Sequence, residues 1–218
     1  LAALTEITLK VLPRAESEMT VVFRGLEIEP ALKLMREVAA SSLEPSSISF
    51  LPRSVAGRSH TIGGDAPVTI VRLEGPQVSL DERAAALRKM RASESYTLDR
   101  GASQALWREV RDVKLLPETG ALWRVTVPPT DAHSAVSGNH VDEWFIDWAG
   151  GLVWMHFDDA TKVPSVKAGS GMRVRCDTNM GNAFTPPEPG VAQLARRLKA
   201  SFDPKAILNP GRMGAHSA

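Results

Sequence analysis

A single cysteine, Cys176, among 218 residues leaves no intramolecular disulfide to hold this chain together. That usage fits a reducing compartment, and the lone thiol is expected to be a small inert core group, although Arg173 and Arg175 lie close to it in sequence. A charge excess is missing too. Lys and Arg total 26 against 25 Asp and Glu, giving a net +1 and a pI of about 8.1. The signs are well mixed, so nothing argues for nucleic acid or an anionic membrane surface as partner. No apolar run approaches the roughly 20 residues of a spanning helix, and no signal-peptide pattern is read at the start. Aromatics make up only 6%; the five tryptophans among them are expected in the core rather than stacked on a cofactor.

What is present suffices for a folded body. A hydrophobic fraction of 43% and a mean hydropathy of −0.12 are ordinary for a globular protein, large enough for one domain or two small ones. The chain opens at Leu1 directly into a strand-like pattern, which predicts a piece of a longer polypeptide.

Residues 5–12 alternate apolar with polar, the period of a half-buried strand that Pro13 stops. A second strand is expected over 19–23, then a helix from Pro30 burying Ala31, Leu34, Met35 and Val38. Strands follow over 47–51 and 68–73 around a loop at 52–65. Ser79-x-x-Glu82 reads as a capping box opening another helix. The second half has the same alternation of elements, with a helix over 103–113, a strand over 122–127, and a short helix capped by Thr130 and closed by Gly138. Strands at 143–148 and 152–157 are joined through Ala149-Gly150-Gly151, a strong hairpin signal. A short helix after Asp159, a strand over 172–176 and a last helix ending near Phe202 complete the pattern. The strand–helix–strand order predicts an α+β fold of ferredoxin-like halves, with helices on one face of an antiparallel sheet.

Strand alternation gives candidate site residues. Leu122, Arg124 and Thr126 share one face, and His156 falls with Leu152 and Trp154; Trp144, Ile146 and Trp148 are expected on one face with Asp147 opposite. Arg124 can receive a carboxylate bidentately and His156 can accept a proton. Arginines on other strands (Arg24, Arg72, Arg173, Arg175) are explained by a solvated face. His133-x6-His140 has a ligand-like offset, but no further ligands are in view and no metal site is expected. At the other end, Asn209-Pro210-Gly211-Arg212 combines a fixed φ, a close-approach glycine and two donors suited to an acceptor-rich group.

Leu4 to Pro13 together with Phe202 to Arg212 resembles the two junctions of FAD-linked oxidases of the vanillyl-alcohol oxidase type, where the first leaves the FAD domain and the second returns to it. Trp123-Arg124 to Pro128-Pro129-Thr130 and Ile146-Asp147-Trp148-Ala149-Gly150-Gly151 are similar, more narrowly, to the cap of the E-type FAD-binding subunits of bacterial glycolate oxidases. The resemblance implies residues 1–13 as the end of an FAD domain, 14–185 as a cap, and 186–218 as a helix and tail returning to the flavin. The sheet shared by both halves is implied by it as well. It implies FAD as cofactor, contacted by Leu4, Thr5, Asn209, Gly211 and Arg212, with Arg124 and His156 as catalytic candidates.

Function and partners follow from the same resemblance: oxidation of glycolate to glyoxylate beside a D-type flavoprotein subunit and an iron–sulfur subunit, in the cytoplasm or peripherally at the inner face of the membrane. The histidine pair of the D-type cap is not matched here, and neither is the glycine-rich pyrophosphate loop. The piece alone is therefore expected to bind FAD weakly or not at all and to be catalytically silent. Two alternatives stay open: a stand-alone FAD-linked oxidase of another hydroxy acid or alcohol, and a non-catalytic docking module.

Overall fold

The computed structural model describes residues 4–11, 13–177 and 183–208. In chain order the elements are β1 (Ser17–Arg24), α1 (Ile28–Ala39), β2 (Ser47–Leu51), α2 (Arg53–Ala56), β3 (Val68–Gly75), α3 (Gln77–Arg88) and β4 (Ser95–Leu98). They continue through α4 (Arg100–Arg111), β5 (Ala121–Thr126), α5 (Ala132–Ser137), β6 (Glu143–Asp147), β7 (Leu152–Phe157), β8 (Ser170–Cys176) and α6 (Pro189–Phe202). All strands join one 8-stranded sheet in the order β4-β1-β3-β2-β6-β7-β5-β8, antiparallel throughout. Strands β1 to β4 have the order 4-1-3-2, and β5 to β8 repeat it in mirror sequence. These are the two expected ferredoxin-like halves, meeting at β2 and β6.

Both faces of the sheet carry apolar side chains, so both are covered. On one face Val21, Phe23, Phe50, Val71, Trp123, Ile146 and Val153 form a core with Ala31, Leu34 and Met35 of α1, Leu80 and Leu87 of α3, and Ala135 of α5. The expectation of helices on one face describes α1, α3 and α5. On the other face Val22, Leu51, Ile70, Leu122 and Phe145 pack with Val55 of α2 and with Leu106, Trp107 and Val110 of α4. Central strands with β-branched residues at successive positions, such as Val21-Val22 and Ile70-Val71, cannot leave either side wet.

Polar groups pin α4 to its strand. Glu18 accepts from Arg72 Nε at 3.1 Å and Nη2 at 2.6 Å, from Ser103 Oγ at 2.9 Å and from Gln104 Nε2 at 3.2 Å. Thr20 Oγ1 accepts from Trp107 Nε1 at 2.8 Å. Because Glu18 is only 7% exposed, burial pushes its carboxyl up, yet the bonds from Arg72, Ser103 and Gln104 outweigh that and hold it below the usual range.

Several expectations are corrected at element ends. Residues 4–11 form no strand and expose Leu4, Ile7, Leu9 and Val11, because a strand exists only by pairing and this segment pairs with no described strand. Helix α3 begins at Gln77, so Ser79 and Glu82 lie inside it, and the Pro76 carbonyl accepts the Leu80 N–H. Helix α4 begins at Arg100 because Asp99 caps it, accepting from Ala102 N at 2.9 Å. Helix α5 follows Asp131, not Thr130. After Asp159 there is a turn, in which that carboxylate accepts from Thr161 N at 2.9 Å, and no helix. The second half thus lacks one crossover helix.

Candidate functional site

A groove of about 920 Å³ lies on the α4 face, between that helix (Arg100, Gln104, Arg108) and the ends of β1 to β3, and closes against Asp147, Trp148 and Ala149. The site is built where β6 ends. Asp147 is the last paired residue, opposite Leu152. Four residues, rather than the expected three, then connect to β7, and the left-handed positions fall on Trp148 (φ 52°) and Ala149 (φ 54°) before Gly150. For a residue with a Cβ this conformation costs about 1–2 kcal/mol. Trp148 therefore leaves the face expected from alternation with Trp144 and Ile146.

The turn is held from the other half of the molecule. Asp147 Oδ1 accepts the Trp148 N–H at 2.8 Å and the Ser49 hydroxyl of β2 at 2.5 Å. Burial pushes the Asp147 carboxyl above its ordinary range, and the bonds from Ser49 and Trp148 and the nearby Arg124 charge only partly offset this. The indole that results is 59% exposed. The Arg124 guanidinium stacks on it, 4.6 Å from the ring centroid. Arg124 itself is half-buried, and among the described residues it makes no hydrogen bond and no ion pair. A partly desolvated guanidinium without a hydrogen-bonded partner has the donor geometry to bind a carboxylate.

The register places His156 opposite Leu122 and Arg124 opposite Trp154, so both candidates share the face expected of them. Accessibility separates them. His156 is 0% exposed, and its Nε2 donates to the Thr119 carbonyl at 2.7 Å. Its Nδ1 has no hydrogen-bond partner and stands 3.8 Å from Asp158 Oδ1. The cover over it is the segment from α4 to β5, whose Leu115 carbonyl accepts from Arg58 Nη1 at 3.3 Å and whose Pro117 carbonyl accepts from Arg175 Nη2. That strap ends at Gly120, in left-handed backbone, where a Cβ would collide with the Phe157 carbonyl. A proton acceptor at His156 is shut off from any substrate on the sheet face.

The other candidates are dispersed. Leu4 and Thr5 lie exposed in irregular chain, and Asn209, Gly211 and Arg212 fall outside the described residues. His133 sits on α5 with Nδ1 3.3 Å from Glu29, and His140 has a left-handed φ of 48°. Among the described residues no group of three or more His, Cys, Asp or Glu could hold a metal ion, and no helix is long and apolar enough to cross a membrane. Arg72 is ion-paired with Glu18 and Arg175 is tied to the strap, so neither is merely a solvated strand residue. Residue pattern alone does not single out Ser49 or assign Asp147 its role; the one sequence signal is the unusual Trp148-Ala149 pair ahead of two glycines.

Residues 186–213 match the family model for FAD linked oxidases, C-terminal domain. Along 220 aligned residues the chain is 29% identical to glycolate oxidase subunit GlcE of Escherichia coli (strain K12), covering 99% of this chain and 54% of that protein. The chain thus spans about half the length of this curated relative. Among solved structures, 4-ethylphenol oxidase from Gulosibacter chungangensis (isoeugenol complex) aligns at 10% identity and a TM-score of 0.41, covering 66% of this chain and 39% of that one. Alkyldihydroxyacetonephosphate synthase aligns at 14% identity and 0.43, covering 90% and 42%. The sequence matches support a GlcE-like C-terminal region of an FAD-linked oxidase.

Proposed function

We propose that this chain is the cap and C-terminal region of an FAD-dependent 2-hydroxy-acid oxidoreductase, the FAD-binding subunit of a glycolate oxidase converting glycolate to glyoxylate. The carrying observation is Arg124, half-buried and without a hydrogen-bond or ion-pair partner among the described residues. Its fork receives the substrate carboxylate in two parallel hydrogen bonds. Trp148 stacks against one face of that guanidinium. His156 serves the fold here, as an anchor of the strap.

The described residues fit a flavin as neighbours rather than as its main holders. A free guanidinium and an exposed indole suit a planar, acceptor-rich ring with an anion beside it, whereas the sequence has no glycine-rich pyrophosphate loop. FAD, when bound, supplies the acceptor for the hydride that leaves C2 of the hydroxy acid. Residues 1–13 and 186–218 meet the FAD domain in this reading, with Leu4, Thr5, Asn209, Gly211 and Arg212 near the cofactor. The exposure of Ile7, Leu9 and Val11, and of Val191, Leu194 and Phe202 on α6, supports such a contact. A D-type flavoprotein and an iron–sulfur subunit are the proposed partners.

The test is an absorbance scan of the full-length protein, expressed alone, under anaerobic glycolate. Bleaching of the flavin that is lost in Arg124→Gln supports a catalytic subunit using this site. A bound flavin that stays oxidised with glycolate and with other 2-hydroxy acids overturns it in favour of a docking subunit.

A further inference from the structure

We infer that Trp148 is a positioning residue for Arg124, held over the guanidinium by Asp147 and Ser49, and that this clamp sets the affinity for small carboxylates. The inference rests on Arg124 as the carboxylate receiver and adds how that receiver is kept in place.

At Trp148 the turn breaks a local rule without burying the side chain. Two residues with Cβ atoms occupy left-handed backbone, although glycines stand immediately after them at 150 and 151. Ala149 packs against the core, but burial does not repay the strain at Trp148, because most of the indole is exposed. What holds the conformation is a buried-side anchor: one carboxylate oxygen bonded both to the Trp148 N–H and to a hydroxyl on the neighbouring half. What the conformation achieves is the stacking of the indole on Arg124, a contact that a Trp148 continuing the strand would not make. A long arginine without hydrogen bonds populates many rotamers. An aromatic plane against one face removes most of them and leaves the N–H edge free for a carboxylate. Strain concentrated where a cation is aimed, and maintained from across the joint between halves, is the pattern of a site rather than of a packing accident.

The experiment uses the full-length protein with oxalate, an unreactive carboxylate, followed by calorimetric titration, alongside KM and kcat for glycolate and the melting temperature. Arg124→Lys is expected to weaken oxalate about tenfold or more. Trp148→Leu is expected to weaken it about fivefold, with the loss appearing in KM rather than kcat, and Trp148→Phe to restore most of it. Trp148→Gly, native to left-handed backbone, is expected to bind as weakly as the Leu variant while melting no lower than the parent. Unchanged oxalate affinity in Trp148→Leu overturns the inference. So does a loss that follows the melting temperature and is no smaller in Trp148→Phe. An Arg124→Lys variant that binds oxalate normally removes the receiver itself, and the inference goes with it.

Discussion

Glu18 and Asp147 are both carboxylates withdrawn from water, and the protein treats them in opposite ways. Glu18 is oversupplied with donors, so its folded pKa lies below the unfolded one; its stabilisation is present above the ordinary carboxylate range and is lost as pH falls through the folded value. Glu18→Gln leaves Arg72 with Glu74 alone as a charge partner, 3.2 Å away, and is expected to cost about 2 kcal/mol at pH 7 in urea unfolding, with the difference shrinking in acid. Asp147 is undersupplied. Its folded pKa is raised, so its favourable contribution is fully present below the unfolded value and is lost as pH rises through the folded one. Asp147→Asn keeps an acceptor for Ser49 and Trp148 and is expected to stabilise the protein at neutral pH, on the order of 1 kcal/mol. That gain should vanish below the carboxylate range, as read by thermal melts across pH. At this scale the sequence is half legible. Period two puts Arg124 and His156 on one face; whether each can be reached depends on a loop segment some 35 to 40 residues upstream of His156, which no periodicity reveals.

Elements with long apolar repeats are legible in the sequence, and those defined by partners are not. Strand β2 and helix α1 follow directly from residue pattern, as does the turn between β6 and β7. Strand β4 does not, because its half-exposed Ser-Tyr-Thr-Leu has no marked alternation and exists as an edge to β1. Segment 4–11 misleads in the other direction, since its alternation is clear and its partner is not among the described strands. Helix α6 is the informative case. Its sequence is amphipathic over Val191, Leu194, Leu198 and Phe202, and in the structure that apolar stripe is exposed while only Ala192 is buried. Leu194→Glu with Leu198→Glu is therefore expected to leave chemical unfolding of the sheet unchanged to within about 0.5 kcal/mol. If the stripe meets the FAD domain, the same pair lowers the flavin content of purified full-length protein, measured by absorbance ratio.

The whole molecule depends on the joint between its halves. Phe50 opposes Ile146 across β2 and β6, and its ring lies 5.9 Å from that of Trp144. Beside it, Glu143 of β6 accepts from Ser54 at 2.9 Å and from Arg58 at 2.5 Å, both from the first half. Phe50→Ala is expected to cost about 3–5 kcal/mol and to split one cooperative calorimetric transition into two, one per half. A single transition of normal width in that variant would mean that the two cores, not the joint, carry the coupling. The strap extends this logic. It is the only chain connection between the halves, and its carbonyls are gripped by Arg58 from the first half and by Arg175 and His156 from the second. A linker latched to both sides cannot serve as a hinge. The sheet moves as one plate, and the two ferredoxin-like units travel together.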